Sequence, residues 1–244
     1  MIQLIKVDAT DSTNTFLKDY LRSNNGVNKL CIQAGYQLEG RGQAGNHWKS
    51  EKDQNLLFSV LYSDWNLKSH HQYIISIATA VSIKQVLDGL KIPDVMVKWP
   101  NDILAERKKI AGILIENTLK NGRVAASIIG VGLNVNQTSF NELPNATSLR
   151  QLTGQSFDLD ELLQKLLIQL ENNFEKVSQG NIKNLIIDYH QYLFRKDKAS
   201  TFQRPDGSTF IGIIQQVAKN GKIILLEEDD HLNTYDVKEI KLLY

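Results

Sequence analysis

A sharp reversal of the chain between two apolar segments most limits the folds that this sequence can adopt. The segment KWPNDILAERKKIAG, residues Lys98–Gly112, follows the apolar run Val95–Val97, which predicts a buried strand. Pro100 has no backbone donor and biases Trp99 towards an extended conformation, so the strand has to end there. The apolar segment Ile110–Glu116 then predicts a second strand that is covered on both faces. The sequence thus predicts two core strands joined through a polar reversal.

The reversal places polar and charged groups beside an apolar wall. It carries an amide, a carboxylate and two lysines, namely Asn101, Asp102, Lys98 and Lys109. Gly112 leaves bare backbone in the middle of the second strand, which usually marks a bulge or a ligand lying against the chain. A solvated hairpin turn would carry a similar string of residues, so this segment alone leaves both interpretations open.

A glycine-rich segment earlier in the chain has to be tested against the dinucleotide-binding fingerprint. Gly40, Gly42 and Gly45 satisfy the G-x-G-x-x-G spacing. That fingerprint requires a helix to follow, because the pyrophosphate rests on the helix N-terminus. Here the polar residues after Gly45 lead into Leu56–Tyr62, an apolar run that predicts a strand. A Rossmann-type site is therefore excluded, although glycines still allow the backbone to approach a phosphate closely.

Two further segments combine local structure with polar groups. Ser12 or Thr13 is a favourable N-cap for a helix that follows the strand Met1–Val7. Its apolar face consists of Phe16, Leu17, Tyr20 and Leu21. The predicted strand Arg123–Asn136, joined to the preceding one by a turn at Asn121–Gly122, carries glycines where bulky residues would be expected, at Gly130 and Gly132.

The remaining chain predicts more helices and a second, smaller unit of strands. Three helices are expected, over Ser69–Leu90, after Asp158 and after Asn181, where Asp158 and Asn181 are the predicted caps. Further strands are expected at Leu30–Tyr36, Phe210–Val217 and Ile223–Glu227, with a domain boundary at Arg195–Lys198.

Composition excludes several classes of function. The formal net charge of +1 gives no electrostatic basis for binding nucleic acid or an anionic membrane surface. The single cysteine, Cys31, lies in an apolar stretch and is expected in the core, and it excludes internal disulfides and a cysteine-rich zinc site. We expect no signal peptide, no membrane span and a cytoplasmic location.

Five strings of this sequence resemble the motifs of biotin protein ligases, and the first of them also keeps the family's spacing. They are KWPND with its downstream Lys109 and Gly112, STN at residues 12–14, GRGQAGNHW at residues 40–48, GVGLNVN at residues 130–136 and TSL at residues 147–149. The resemblance covers nearly the whole chain. It implies an α+β fold, with a mixed sheet flanked by helices as in class II aminoacyl-tRNA synthetases. It also implies a catalytic domain over residues 1–195 and an SH3-like barrel over residues 196–244.

The resemblance implies ATP-dependent activation of biotin to biotinyl-5′-adenylate, followed by transfer to a lysine of a protein. It assigns biotin binding to Ser12, Thr13, Asn14, Gln37, Gly40, Arg41, Lys109, Gly112 and Gly130. It assigns nucleotide binding to Arg41, Gln43, Trp48, Lys98, Asn101 and Asn134. It assigns catalysis to Lys109, Arg41, Lys98, Asn101 and Asp102, with Asn101 and Asp102 positioning either Mg²⁺ or the incoming lysine. No direct metal cluster is expected, and Mg²⁺ is expected to arrive with ATP near Asp102.

The implied protein partner is the biotin carboxyl carrier domain of a carboxylase, and a homodimer is left open. Because no helix-turn-helix pattern precedes Ser12, we expect the short form of the family, which does not bind DNA. The segment Arg41–Lys52 is expected to be a mobile flap that orders over both ligands. Two alternatives stay open: a lipoate–protein ligase of the same fold, and a non-catalytic biotin-binding protein.

The chain departs from the family pattern within the flap. Many relatives carry arginine where this sequence has Gln43, and another basic residue where it has Asn46. The loss of positive charge should weaken retention of the adenylate unless another cation compensates. Lys49 and Lys52 are the expected candidates for that compensation.

Overall fold

A computed structural model describes residues 2–24, 26–140, 143–228 and 230–244. Within those residues the chain forms a seven-stranded sheet and a separate five-stranded sheet. The strands of the first sheet are β1 (Gln3–Thr10), β2 (Lys29–Gln37), β3 (Leu56–Tyr62), β4 (Val95–Lys98), β5 (Asp102–Ala105), β6 (Lys108–Lys120) and β7 (Arg123–Leu133). The helices are α1 (Thr13–Ser23), α2 (Tyr73–Gly89), α3 (Leu149–Thr153), α4 (Leu159–Ser178) and α5 (Lys183–Tyr192).

The first sheet is mixed, as predicted. Its strand order is β1-β2-β3-β7-β6-β5-β4. The β1–β2 pair is parallel and the other neighbours are antiparallel. The reversal at Trp99–Asn101 separates β4 from β5, so the chain direction changes where Pro100 was expected to end the strand. The long hairpin β6–β7 turns at Asn121–Gly122, where both residues have positive φ.

The two faces of this sheet are covered very differently. One face packs against α2, α4 and α5 in a large apolar core that contains Cys31, fully buried. The other face carries only a small apolar cluster beneath α1, formed by Leu17, Leu30, Ile32, Leu61 and Ile128. Among the described residues, α1 is the helix that packs on this face, and the sheet beside its N-terminus has no helix over it.

Several predicted boundaries are wrong, each for a local reason. Helix α2 begins at Tyr73 rather than Ser69, because Ser69–His71 forms a separate 3₁₀ turn. Asn181 does not cap α5, since its backbone N–H donates to the Lys176 carbonyl and so closes the preceding helix. Ser12 holds the N-cap position of α1, but its side chain makes no capping hydrogen bond.

Two strand ends and one helix also differ from prediction. Strand β6 begins at Lys108, two residues early, within the charged turn. Strand β7 ends at Leu133, because beyond it the Asn136 N–H donates to the Gln54 carbonyl outside the sheet. The short helix α3 was not predicted, although the Ser148 side chain caps it by accepting from the Gln151 N–H. Asp158 caps α4 as predicted.

The second sheet is antiparallel and packs against the first unit. Its strands are β8 (Ala199–Gln203), β9 (Thr209–Val217), β10 (Ile223–Glu227), β11 (Leu232–Tyr235) and β12 (Lys241–Leu243), in the order β11-β10-β9-β8-β12. Its turn at Gly221 meets the polar reversal, where the Trp99 indole N–H donates to the Gly221 carbonyl over 2.9 Å. Both sheets contribute to one continuous apolar core. The division at residue 195 stays a prediction.

Across the residues that the structure describes, every helix is too short or too polar to span a bilayer.

Candidate active site

A cavity of about 140 Å³ lies on the sparsely covered face of the first sheet, beside the N-terminus of α1. Most of the predicted site residues meet there: Ser12, Thr13, Asn14, Gln37, Arg41, Gln43, Trp48, Asn101, Asp102, Lys109, Gly112 and Gly130. Three predicted residues do not line it, namely Gly40, Lys98 and Asn134. Residues from four strands, one helix and the glycine-rich loop thus converge on a single concave site, as expected for a ligand pocket.

The glycines of β6 and β7 accommodate protein side chains over the sheet. A Cβ placed on Gly132 would lie 2.5 Å from the Trp48 indole, and one on Gly112 would lie 3.1 Å from it. A Cβ on Gly130 would lie 2.5 Å from Asn14 Oδ1. The glycines thus line the cavity and also seat Trp48 and Asn14, which form part of its wall.

One end of the cavity is charged. The carboxylate of Asp102 lies 2.6 Å from Lys109 Nζ and 3.4 Å from Lys98 Nζ. Lys109 lines the cavity, whereas Lys98 does not, and Lys98 Nζ lies 5.2 Å from the centroid of the Tyr244 ring. Both lysines therefore share one acid, but only Lys109 is placed to meet a ligand directly.

Backbone contacts hold this charged end in position. The Asn101 amide donates to the Ile113 carbonyl over 2.9 Å, and the Ile113 N–H donates back to the Asn101 carbonyl over 3.0 Å. The Lys109 N–H donates to the Asn145 carbonyl, which fixes the start of β6 against the segment before α3. Asn101 is thus committed to the backbone, while Asp102 and Lys109 keep functional side chains at the cavity.

The opposite, deep end is a connected network of neutral hydrogen bonds. The backbone N–H of Thr13 donates to Gln37 Oε1 over 2.8 Å, and Thr13 Oγ1 lies 3.1 Å from the same oxygen. The Ser59 hydroxyl lies 2.7 Å from Thr13 Oγ1 and 2.6 Å from Asn14 Oδ1. Ser59, Thr13 and Asn14 are nearly inaccessible to solvent. Such a network fixes the direction in which each polar atom points.

The network ends at a carboxylate, Glu116. Its oxygens accept from Asn14 Nδ2 over 2.8 Å and from Lys18 Nζ over 2.6 Å, and Arg41 Nη2 lies 3.6 Å away. Burial alone would raise the pKa of Glu116, but the bonds from Lys18 and Asn14 outweigh it, and the pKa lies below its ordinary value. Glu116 is therefore ionised at neutral pH.

The glycine-rich loop closes over the sheet between these two ends. Arg41 and His47 form an antiparallel bridge, and the Trp48 N–H donates to the Gly40 carbonyl over 2.8 Å. Gly40 is buried, and a Cβ there would collide with the Trp48 carbonyl. Among the residues that the structure describes, Trp48 Nε1 is buried without a hydrogen-bond partner, and a bound ligand can supply the missing acceptor.

A second cavity of about 290 Å³ adjoins the first. Trp48, His47 and Lys109 line both cavities. The second is otherwise lined by Lys49, Asn134, Phe140, Leu143, Pro144, Asn145, Ala146 and Tyr244. Asn134 is buried there, and its side-chain amide donates to the Thr147 carbonyl over 3.0 Å. Lys52 lines neither cavity.

Sequence reasoning missed three residues of this site. Ser59 interrupts an otherwise apolar and aromatic strand, and Glu116 ends the apolar run of β6. Either polar residue in a core strand could have been taken as a signal. Tyr244 is about 200 residues from the loop it faces, and no local pattern places it there.

No group of three or more histidine, cysteine or acidic side chains that could hold a metal ion occurs among the described residues. His70 and His71, adjacent in the chain, have ring centroids 4.2 Å apart.

Comparison with known proteins places these residues in context. The sequence pattern of the biotin/lipoate A/B protein ligase family matches residues 7–134. The bifunctional ligase/repressor BirA of Bacillus subtilis is 33% identical over 98% of this chain and 74% of its own length. The biotin–[acetyl-CoA-carboxylase] ligase of Mycobacterium tuberculosis is 28% identical over 91% of this chain and 83% of its own. The chain spans 53% to 74% of the ligase/repressor relatives that it matches.

Solved structures agree on the fold. The biotin protein ligase from Aquifex aeolicus, solved with biotin and ATP, superposes with a TM-score of 0.81. It is 24% identical, and the match covers 100% of this chain and 99% of that one.

Proposed function

Because the chain belongs to the biotin/lipoate A/B protein ligase family, we propose that it activates biotin with ATP and transfers it to a protein lysine. The reaction is a ligation in two steps. A carboxylate oxygen of biotin attacks the α-phosphorus of ATP, and pyrophosphate leaves. The amine of the acceptor lysine then attacks the acyl carbon of the adenylate, and AMP leaves as the amide forms.

The observation that carries this proposal is the junction of the two cavities at Lys109 and Trp48. The polar cavity takes the biotin ring and chain, and the more apolar second cavity takes the adenine. The reacting carboxylate and α-phosphate then meet at Lys109, whose ammonium group offsets the negative charge of both. Asn134, in the second cavity, lies on the nucleotide side of this junction.

The deep end of the first cavity favours biotin over lipoate. Biotin carries a cyclic urea with N–H donors and a carbonyl acceptor, whereas the dithiolane ring of lipoate has no such groups. Ser12, Thr13 and Gln37 present polar atoms at that end. A dithiolane offers no hydrogen bond to these polar groups, and a polar group desolvated without a compensating bond costs about 1–3 kcal/mol.

The charged end serves the adenylate. Lys109 breaks its ion pair with Asp102 and contacts the acyl phosphate. Arg41, on the loop, approaches the same phosphate from the opposite side. Asp102, relieved of one lysine, then accepts a proton from the incoming ammonium group of the acceptor. Asn101 acts through the backbone of Ile113 and is a positioning residue.

The residues present fit a Mg²⁺ that arrives with the nucleotide. Mg²⁺ keeps several waters and is usually bound by one or two carboxylates together with substrate phosphates. Asp102 lines the first cavity and is the carboxylate that would hold the ion, which is the alternative to its role towards the acceptor lysine. When bound, the ion neutralises charge on the leaving pyrophosphate.

The acceptor that this chemistry requires is a protein with an exposed lysine, and we propose the biotin carboxyl carrier domain of a carboxylase. The proposed location is the cytoplasm, where ATP, biotin and such a carrier occur together. The molar mass of the purified chain, measured by light scattering, tests whether it forms a homodimer.

Biotin-dependent exchange of labelled pyrophosphate into ATP tests the first step. We expect exchange that needs both biotin and the enzyme, with little or none when lipoate replaces biotin. Transfer of labelled biotin to a carrier domain tests the second step, with a carrier whose acceptor lysine is changed to arginine as control. Absence of exchange, or equal exchange with lipoate, would overturn the proposal.

A further inference from the structure

We infer that Glu116 is a positioning residue that fixes the side-chain amide of Asn14 so that its oxygen faces the cavity as an acceptor. The inference rests on the proposed function, because the group that this oxygen then recognises is an N–H of the cyclic urea of biotin. Glu116 itself does not line the cavity.

The contacts around Asn14 determine where the nitrogen and the oxygen of its side-chain amide lie. One end lies 2.8 Å from Glu116 Oε2 and 3.4 Å from the Leu114 carbonyl oxygen, and both of these are acceptors. The NH₂ group has to occupy this end, because an amide oxygen placed there would face two further oxygens. The carboxylate charge strengthens the preference, since a hydrogen bond to an ionised group is about twice as strong as a neutral one.

The other end of the amide is then an oxygen by exclusion. It lies 2.6 Å from the Ser59 hydroxyl, which donates to it. The same oxygen occupies the place that a side chain on Gly130 would need. Asn14, Gly130 and Thr13 line the cavity together, so this oxygen presents its second lone pair towards the ligand.

The orientation matters because biotin offers a donor at this place. An N–H of the urea can donate to the Asn14 oxygen but would clash with an NH₂ group in the reversed orientation. Glu116 thereby converts a side chain that could rotate into a fixed acceptor. A change of Glu116 to glutamine removes this constraint, because a neutral amide can satisfy Asn14 in either orientation.

The test compares steady-state pyrophosphate exchange by the full chain in four forms. Glu116→Gln should raise the KM for biotin by roughly 10- to 100-fold, with kcat and the KM for ATP nearly unchanged. Lys18→Met removes the other close partner of Glu116 but leaves Asn14 in place, so the KM for biotin should stay within about twofold of wild type.

The fourth form exchanges the two groups. In the double variant Asn14→Asp/Glu116→Gln, the carboxylate introduced at position 14 offers only oxygens, and the new amide at position 116 donates to it. The cavity regains a fixed acceptor, and the KM for biotin should return to within a few-fold of wild type. A purely structural role for Glu116 predicts no such rescue, because the double variant disturbs the same region more.

A pair of biotin analogues, each with oxygen in place of one ureido N–H, provides a second readout by direct binding. Wild type should discriminate against the analogue that lacks the N–H facing Asn14, and Glu116→Gln should lose most of that discrimination. An unchanged KM in a folded Glu116→Gln protein, or a double variant worse than both single variants, would overturn the inference. If wild type shows no exchange with biotin, the proposed function fails instead.

Discussion

The carboxylates Asp102 and Glu116 flank the candidate site at opposite ends, and the structure uses them in different ways. In the described part of the chain each lies within 4 Å of two cationic side chains. At Glu116 the contacts continue inwards through Asn14 to Ser59, so the acid belongs to a buried polar network. At Asp102 the contacts run to the ammonium groups of Lys98 and Lys109, and Lys109 lines the first cavity.

The difference follows from the chemistry of the two halves of the ligand. A neutral urea ring is recognised by atoms that are already in place, because each misdirected donor or acceptor costs binding free energy. An anionic phosphate is instead met by cations, which can exchange one acidic partner for another. The deep end is therefore expected to respond to mutation mainly in KM for biotin, and the charged end mainly in the rate of adenylate formation.

The largest expected effect on activity comes from one of the two lysines that contact Asp102, and it distinguishes Lys109 from Lys98. Lys109→Ala should lower the pyrophosphate exchange rate by about 10²-fold or more, because a charge that stabilises the transition state is lost. Lys98→Ala is the matched variant: it removes a lysine from the same acid, but this lysine does not line the first cavity. Its loss should be about tenfold smaller. Equal losses in two folded proteins would remove the distinction between these lysines.

A smaller effect is expected at Gly132, against which the Trp48 indole packs. Gly132→Ala places a methyl group within 2.8 Å of three indole atoms, so the loop has to move. We expect destabilisation of about 1–3 kcal/mol from overpacking, and a higher KM for both biotin and ATP. Gly89→Ala is the control, because a Cβ there meets nothing within 4 Å. Thermal unfolding and exchange kinetics measure both variants, and wild-type kinetics in Gly132→Ala would contradict the observed packing.

The ionisation of Glu116 gives a pH-dependent prediction for the deep end. Its folded-state pKa lies below the ordinary value of 4.5, so its contacts stabilise the fold fully above about pH 4.5. That stabilisation is lost as the pH falls through the lower, folded-state pKa. Glu116→Gln should therefore lower the melting temperature by a few degrees at pH 7, and this difference should shrink below pH 4.5. Glu228→Gln, at an exposed turn, controls for the loss of a carboxylate; a pH-independent difference would refute the assignment.

The smallest effect concerns the loop position that departs from the family pattern. Gln43 lines the first cavity, and Lys49 lines the second, whereas Lys52 lines neither. Compensation for the missing charge at Gln43 is thus expected from Lys49. Lys49→Ala should raise diffuse labelling of a bystander protein several-fold, and Gln43→Arg should suppress it. Lys52→Ala is the matched control, and equal effects of the two lysines would contradict this placement.

The sequence predicts much of this molecule because its signals are local. The break at Pro100, the turn at Asn121–Gly122 and the helix cap at Asp158 each depend on neighbouring residues, and each is found in the structure. The resemblance to known motifs predicted Lys109 and Thr13 as site residues, and both line the first cavity.

The unpredicted features depend on distant contacts. Glu116 reaches Asn14 across 102 residues, and Ser59 reaches it across 45. Whether Gly132 faces a ligand or Trp48 depends on the fold of a loop more than 80 residues away in the chain. Periodicity and propensity carry no information on such pairings, and a motif names residues without giving their partners.

The indole of Trp48 is a wall of both cavities, and this has a thermodynamic consequence. A ligand in either cavity that favours one position of the ring changes the free energy of binding in the other. Such linkage is reciprocal: the factor by which biotin alters the affinity for the nucleotide equals the factor by which the nucleotide alters the affinity for biotin. Through this one side chain, each substrate can therefore change the affinity for the other before any bond between them has formed.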